Sequence, residues 1–474
     1  MRVLLVKPGS QWLARIVGPD IGLGYLATQI RNTGHTVKIL DCLKEKIDPK
    51  GIKREIQEYQ PEVVGFKSYT MDLPWVKEAS LAVKAINPRI VTLVGGPHPS
   101  GDPGHTLRYL KEIDFAFRGE AEVGLPMLLH SISHNSSPKL EEVPSLCYRV
   151  GEEIEEIKVN KQSFVQDLDT IGMPAWDLID PRGYRNFTRA WGNGGAYIPI
   201  SFTRGCPFNC TFCATRLING NGFRKRGIGH ILAELNLLYH EYGVRNLSIA
   251  DDNLTLDKNY LMEVCRAINE ANISFRWDFP NGVRVTTLDE ELLHRLETTG
   301  WGSICVAIES GSQRILDHMG KKITLKEIRD GVHLIKKTTK MEILGFFILG
   351  YPEETLEDIR ATIKFALDLP LDMVTFFYFS PHPGTEIHRQ LVEKYPEKFD
   401  NIDWTTFQYV RPTFPPPNMS GEQFERLVRG AYLRFYLRPR VILRILRRRR
   451  YQQTKLATII IRFIKRMWYL FFER

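Results

Sequence analysis

The chain has 474 residues, 43% hydrophobic and 11% aromatic, which supplies apolar surface for about three domains and excludes a disordered or collagen-like protein. Its seven cysteines are odd in number and thinly spread, which excludes a secreted disulfide scaffold and points to a reducing, cytoplasmic setting where thiolates can hold metal. The net charge of +9 is local: residues 431–474 contain thirteen Lys/Arg and one acid, Glu473, so the rest of the chain carries −3 and its body is not a basic nucleic-acid surface.

Met1–Ser10 is too short an apolar run for a signal peptide and reads as a strand. Through residue 130, short β-branched strands (Val3–Val6, Thr36–Leu40, Val63–Lys67, Ile90–Val94, Phe115–Arg118) alternate with helical stretches at Gly24–Thr33, Gly51–Gln60 and Leu73–Ile86. This alternation predicts an α/β domain, a doubly wound, largely parallel Rossmann-like sheet over residues 1–150, followed by a linker over 151–194. In such a fold ligands sit beyond the carboxyl ends of the strands. There the sequence places Gly22 and Gly24, Ser68-Tyr69-Thr70, Gly95-Gly96-Pro97-His98 and Gly119-Glu120. Paired glycines let a backbone approach a bulky ligand, but the same residues also make ordinary tight turns, and His98 is either a ligand or a plain loop histidine.

After a strand at Tyr197–Thr203 comes Arg204-Gly205-Cys206-Pro207-Phe208-Asn209-Cys210-Thr211-Phe212-Cys213, three cysteines spaced C-x3-C-x2-C. Soft thiolates select zinc, copper(I) or iron–sulfur clusters. A closed zinc site needs four ligands in paired short spacings, and here no second pair follows; the next histidine is His230. Three cysteines on a four-iron cluster leave one iron open, as catalysis requires and a structural site avoids. Further strands read at Asn246–Ala250, Phe275–Phe279, Ser303–Ile308, Ile343–Leu349 and Asp372–Phe379, separated by helix-period stretches such as Ile228–Tyr242 and Leu356–Leu367. Six strand–helix repeats over 195–400 suit a partial (β/α)6 barrel of the TIM type. Polar segments follow its strand ends: Asp251-Asp252-Asn253, Asn281-Gly282-Val283-Arg284, Glu309-Ser310-Gly311 and Gly350-Tyr351-Pro352-Glu353. Each could also be a helix N-cap.

The cysteine motif, with Phe212 before its last cysteine, resembles that of the radical S-adenosylmethionine (SAM) superfamily. The resemblance implies that Cys206, Cys210 and Cys213 ligate a [4Fe-4S] cluster whose open iron chelates SAM, and that electron transfer cleaves SAM to a 5′-deoxyadenosyl radical. It further implies SAM contacts from Phe212, Asp251, Asp252, Arg284, Glu309 and Ser310, although the second-strand segment departs from the frequent glycine-glycine-glutamate form. A doubly wound domain ahead of the barrel resembles the cobalamin-binding branch of that superfamily, carried by Gly22–Ala27, Gly95–His98, Arg118–Glu122 and Ser380–Thr385. That likeness implies cobalamin contacts from Gly22, Tyr25, Ser68, Thr70, Gly95, Gly96, His98 and Glu120. The D-x-H-x-x-G motif that supplies a lower axial histidine is absent, which implies either that cobalamin binds without a protein ligand to cobalt or that the domain has lost its cofactor.

The implied activity is methylation of an unactivated carbon in a lipid-like or natural-product substrate, with a reductant such as flavodoxin or ferredoxin. The alternatives are a radical cyclase of the anaerobic porphyrin-cyclase type and, from another class, a zinc-stabilised nucleic-acid- or membrane-binding protein. Residues 401–474 read as a helical extension with a basic tail. Leu456, Ile459, Ile460, Phe463, Met467, Leu470 and Phe471 share one face of that tail, opposite Arg462, Lys465 and Arg466. Its charges exclude a comfortable membrane span. The pattern suits peripheral contact of residues 440–474 with the inner membrane face, or docking on the barrel; nucleic acid is disfavoured because aromatic stacking positions are sparse. Cys42, Cys147, Cys265 and Cys305 read as core residues.

Overall fold

The computed structural model describes residues 1–10, 18–134, 138–151, 156–184, 197–399, 402–407, 409, 412–416 and 419–448. The proposed amphipathic tail face over 456–471 lies outside these residues. The described chain forms two compact units, Met1–Asn281 with Pro381–Gln408, and Gly282–Ser380 with Tyr409–Arg474.

The first unit opens with strands β1 (Arg2–Lys7), β2 (Thr36–Asp41), β3 (Val63–Lys67), β4 (Val91–Gly95) and β5 (Phe115–Phe117). They are mutually parallel in the order β2-β1-β3-β4-β5, so the strand order reverses between β1 and β3, where open α/β sheets open a ligand crevice. Both faces are covered. Leu4 and Val6 pack with Val64, Phe66 and Val94 on one face, while Val3 and Leu5 pack with Leu23, Ala27, Ile30 and Leu93 on the other. This explains the unbroken apolar runs.

The sheet then continues where the sequence suggested a linker. Strand β6 (Leu146–Arg149) adds antiparallel to β5, through pairs such as Cys147↔Ala116, and β7 (Ile157–Val159) adds antiparallel to β6, through pairs such as Cys147↔Val159. Strand β6 lies within the expected domain of residues 1–150, and β7 carries the sheet into the expected linker of residues 151–194.

In the same unit, β8 (Ile198–Ile200), β11 (Asn246–Ile249) and β12 (Arg276–Asp278) form a parallel sheet in the order β12-β11-β8. A separate two-residue ladder, β9 (Thr203–Arg204) with β10 (Arg224–Lys225), closes the base of the cysteine-bearing segment.

The second unit holds the parallel sheet β13 (Ser303–Glu309), β14 (Glu342–Leu349) and β15 (Met373–Tyr378). The outer edge of β15 is closed by the helix Gly421–Tyr436. Tyr432 Oη accepts from Phe376 N at 2.9 Å, and Tyr436 Oη donates to Val374 O at 3.1 Å. Buried tyrosine hydroxyls thus satisfy backbone groups that a bare edge would leave unpaired. Among the described residues no helix is long and apolar enough to cross a membrane.

Candidate cofactor-binding site

Cys206, Cys210 and Cys213 lie in the loop after β9 and are half-buried, whereas Cys42, Cys147, Cys265 and Cys305 are buried as the apolar reading expects. The loop leaves the β9–β10 ladder through Gly205 at φ +89°, where a Cβ would stand 2.0 Å from Gly222 O, so only glycine fits. Its middle is held by Ile387 N donating to Thr211 O at 3.0 Å. Cys213 N donates to Cys210 O at 3.1 Å, and the Cys213 thiol lies 3.3 Å from Thr215 Oγ1.

The two aspartates after β11 brace this loop. Asp252 accepts from Gly205 N at 2.9 Å, Thr215 Oγ1 at 3.1 Å and Asn219 Nδ2 at 2.8 Å, which ties together both ends of the cysteine segment. Asp251 accepts from Phe202 N at 2.8 Å, and from Thr203 N at 2.7 Å and its hydroxyl at 2.6 Å. Burial pushes the Asp251 carboxyl up to about 7 against those three donors. The sequence assigned these carboxylates to a nucleotide; in the structure their oxygens meet the chain's own loop. Thr215 and Asn219, which complete the brace, carried no sequence signal beyond their nearness to Cys213.

The loops at the carboxyl ends of β3 and β4 form a second cradle. Gly96, at φ +106°, lets the two loops touch, since a Cβ there would lie 3.0 Å from Ser68 O. Gly95 beside it faces open space within 4 Å, room that a side chain would fill. Ser68 is fully buried, with its amide donating to Gly95 O at 2.8 Å. Thr70 Oγ1 lies 3.2 Å from His98 Nδ1, whose other ring nitrogen is 3.4 Å from His105 Nδ1. The rings of His98 and His105 pack on Trp404 at centroid distances of 5.6 and 4.7 Å. Burial lowers the His98 pKa to about 3, so the ring is neutral. Gly22 lies in the first turn of the helix Ile21–Asn32, behind its N-cap Asp20, whose side chain also pairs with Lys67 at 2.6 Å.

Two of the residues expected at cobalamin turn toward the cysteine loop instead. Glu120 is 7% exposed and accepts from Arg224 NH2 at 2.8 Å, Arg224 NH1 at 2.9 Å and Val165 N at 2.7 Å. Tyr25 is 2% exposed, with the Arg204 guanidinium 5.1 Å from its ring centroid.

In the second unit, Glu309 ends β13 at φ +67°, just past a register shift at Ala307/Glu309. This is an uncommon conformation for a side-chain-bearing residue and re-aims the carboxylate. Glu309 pairs with Lys321 at 2.8 Å, both largely buried. Ser310 is fully buried and bonds Thr362 Oγ1 at 3.1 Å. Arg284 donates to the carbonyls of Lys321, at 2.6 Å, and Lys322, thereby gripping the turn that carries the partner of Glu309. Arg284, Glu309 and Ser310 thus belong to one unit, and the cysteines, Phe212, Asp251 and Asp252 to the other.

A doubly wound domain and parallel strand–helix repeats with a three-thiol loop suit an enzyme of metal-thiolate chemistry with an added ligand-binding domain. Comparison with known proteins makes this specific. Residues 14–129 match the B12 binding domain and residues 200–366 the radical SAM superfamily. An uncharacterized methyltransferase of Pyrococcus horikoshii is 31% identical over 448 residues, covering 94% of each chain. The chain belongs to the family of radical SAM methyltransferases that carry a B12-binding domain. This membership sets aside the zinc-stabilised binding-protein alternative.

The cytidylyl-2-hydroxyethylphosphonate methyltransferase of Streptomyces wedmorensis is 28% identical over 83% of this chain and 82% of its own. The anaerobic magnesium-protoporphyrin IX monomethyl ester cyclase of Rubrivivax gelatinosus is 24% identical over 92% of this chain and 78% of its own. The fold is shared with the radical SAM methyltransferase TsrM of Kitasatospora setae, with TM-score 0.65 and 19% identity over 83% of this chain and 75% of that one.

Proposed function

We propose that this enzyme transfers a methyl group to a carbon of a small-molecule or lipid-like substrate, using a [4Fe-4S] cluster, SAM and cobalamin. The observation that carries this reading is the braced loop of three half-buried thiols in the same compact unit as the glycine-lined cradle of the B12-binding domain. The donor chemistry fits: three soft thiolates suit iron and leave one iron open. The cradle at Gly95 and Gly96 fits a bulky, flat ligand lying against backbone. When bound, the cluster supplies the electron that cleaves SAM, and cobalamin serves as the methyl carrier.

The chain's own part is to bind and hold these groups. Cys206, Cys210 and Cys213 would hold iron, and Asp251 and Asp252 brace the loop that carries them. Phe212 would help shape the nucleoside site. Glu309, Ser310 and Arg284 order strand ends of the second unit and would offer polar contacts to SAM. Ser68, Thr70, Gly95 and Gly96, with Gly22 and His98 behind them, line the corrin side. The family names of relatives support methylation: besides those above, a hopanoid C-3 methylase of Methylococcus capsulatus is 24% identical over 81% of this chain. Its substrate class supports a lipid-like acceptor here. So do Leu437, just before the helix Pro439–Arg448, and Ile442 and Leu443 within it, which are exposed near Arg440 and suit the proposed peripheral contact of residues 440–474 with an anionic membrane. A flavodoxin or ferredoxin is the proposed electron donor.

The test is incubation of oxygen-free enzyme with reductant, cobalamin, candidate acceptors and SAM bearing a trideuterated methyl group. Label in the product is expected. SAM cleavage and product formation with no label in the product would overturn methylation in favour of the cyclase reading, which the porphyrin-cyclase relative supports.

A further inference from the structure

The β9–β10 ladder sets Arg204 directly opposite Arg224 at the base of the cysteine loop. Like charges facing each other across a ladder repel, so the pairing needs compensation. It comes from the B12-binding domain. Glu122 accepts from Arg204 NH1 at 2.7 Å, and Glu120 lies 3.3 Å from the same nitrogen while its fork-to-fork contact with Arg224 stands at 2.8–2.9 Å. Side-chain exposures are 12% for Arg204, 7% for Glu122, 6% for Arg224 and 4% for Glu120, so water screens this network little. Arg204 is separated from Cys206 only by Gly205, and Arg224 also grips Asn219 O, next to the brace on Asp252. On the other side, Glu120 and Glu122 follow β5, at the carboxyl end of the sheet. Gly119, at φ +78°, brings that loop against the cysteine segment, where a Cβ would lie 3.4 Å from both Leu217 O and Ile218 O.

We propose that the Arg204–Glu122 pair, backed by Arg224–Glu120, is a positioning device that couples the order of the cysteine loop to that of residues 117–124 in the B12-binding domain. Cluster assembly fixes Cys206, and with it Arg204; through a desolvated, directional guanidinium–carboxylate contact it also fixes the loop that borders the corrin cradle. By reciprocity, ordering that loop favours the cluster-competent arrangement of the cysteines. The inference rests on the reading that the three thiols hold the cluster, and it is independent of whether cobalamin binds.

The experiment is anaerobic amide hydrogen exchange on the full chain, before and after reconstitution with iron and sulfide. In the unsubstituted chain, cluster assembly is expected to slow exchange in residues 117–124 by about five-fold or more. In Glu122→Gln that slowing is lost, while slowing within 205–215 and protection of the strands at 3–6 and 63–67 persist. A merely structural contact would raise exchange equally with and without the cluster, so the difference between the two states isolates coupling. Arg204→Lys keeps a charge at the site and serves if Glu122→Gln fails to fold; its slowing is expected to be partial. Unchanged cluster-dependent slowing in either variant, or none in the unsubstituted chain, overturns the proposal. Absence of bound iron and sulfide after reconstitution overturns the cluster reading and the coupling together, whereas failure to bind cobalamin counts only against the proposed function.

Discussion

Asp252 accepts a 2.9 Å hydrogen bond from the backbone amide of Gly205, the residue before Cys206, and the same carboxylate reaches Thr215 and Asn219 beyond Cys213. One side chain from the end of β11 therefore spans a loop that has no regular structure to hold it. The brace fixes the two ends of the loop, although among the described residues the three thiols are not gathered as a metal-holding group.

Asp252→Ala leaves those three donors without their acceptor, at about 1–3 kcal/mol for each hydrogen bond to a charged group. The expected outcome is sub-stoichiometric iron after reconstitution and a lower urea midpoint, with far-ultraviolet circular dichroism unchanged. Full iron loading in the variant would show that the thiols need no brace.

Acid destabilisation is expected from buried histidines. Burial lowers His98 to about 3 and His382 and His388 to about 4, against 6.5 for an unperturbed ring. Below about pH 6.5 the unfolded chain takes up protons that the folded chain refuses. The stability is therefore fully present above pH 6.5 and is lost as pH falls toward 4, by up to about 1.4 kcal/mol per pH unit for each ring. His98→Asn is expected to flatten the slope of Tm against pH between 6.5 and 5, measured on cluster-free protein; an unchanged slope would place the acid sensitivity elsewhere.

Much of this architecture is legible in the sequence. Strands such as Val63–Lys67 and helices such as Leu73–Ile86 were readable to the residue, because β-branched runs and apolar periodicity mark them. Strands β6 and β7 escaped, since Leu146–Arg149 and Ile157–Val159 are short and partly charged and are held by pairing, β6 with β5 and β7 with β6. The cysteine triplet was equally plain, as its spacing is local. The partners of Glu120 were not, because Arg224 lies 104 residues away and no spacing rule spans that distance. For the same reason Asp251 and Asp252 read as ligand contacts while their donors sit 33 to 49 residues earlier in the chain.

The pair Glu309–Lys321 gives a prediction for the second unit. Glu309→Gln removes the carboxylate paired with the largely buried Lys321 ammonium, at about 1–3 kcal/mol. A fall in the urea midpoint is expected, with part of it recovered in Glu309→Gln combined with Lys321→Met, since the second change removes the buried charge. SAM affinity measured by calorimetry is expected to fall in both variants. Normal affinity in the recovered double variant would remove Glu309 from the SAM site.

The most direct measurement is Mössbauer spectroscopy of the full-length protein reconstituted with iron-57 under oxygen-free conditions, compared with Cys210→Ala. The expected result is the quadrupole doublet of a [4Fe-4S] cluster, perturbed at one iron by added SAM and absent from the variant. A protein that holds zinc without iron, or a cubane that survives loss of Cys210, would contradict the assignment of Cys206, Cys210 and Cys213.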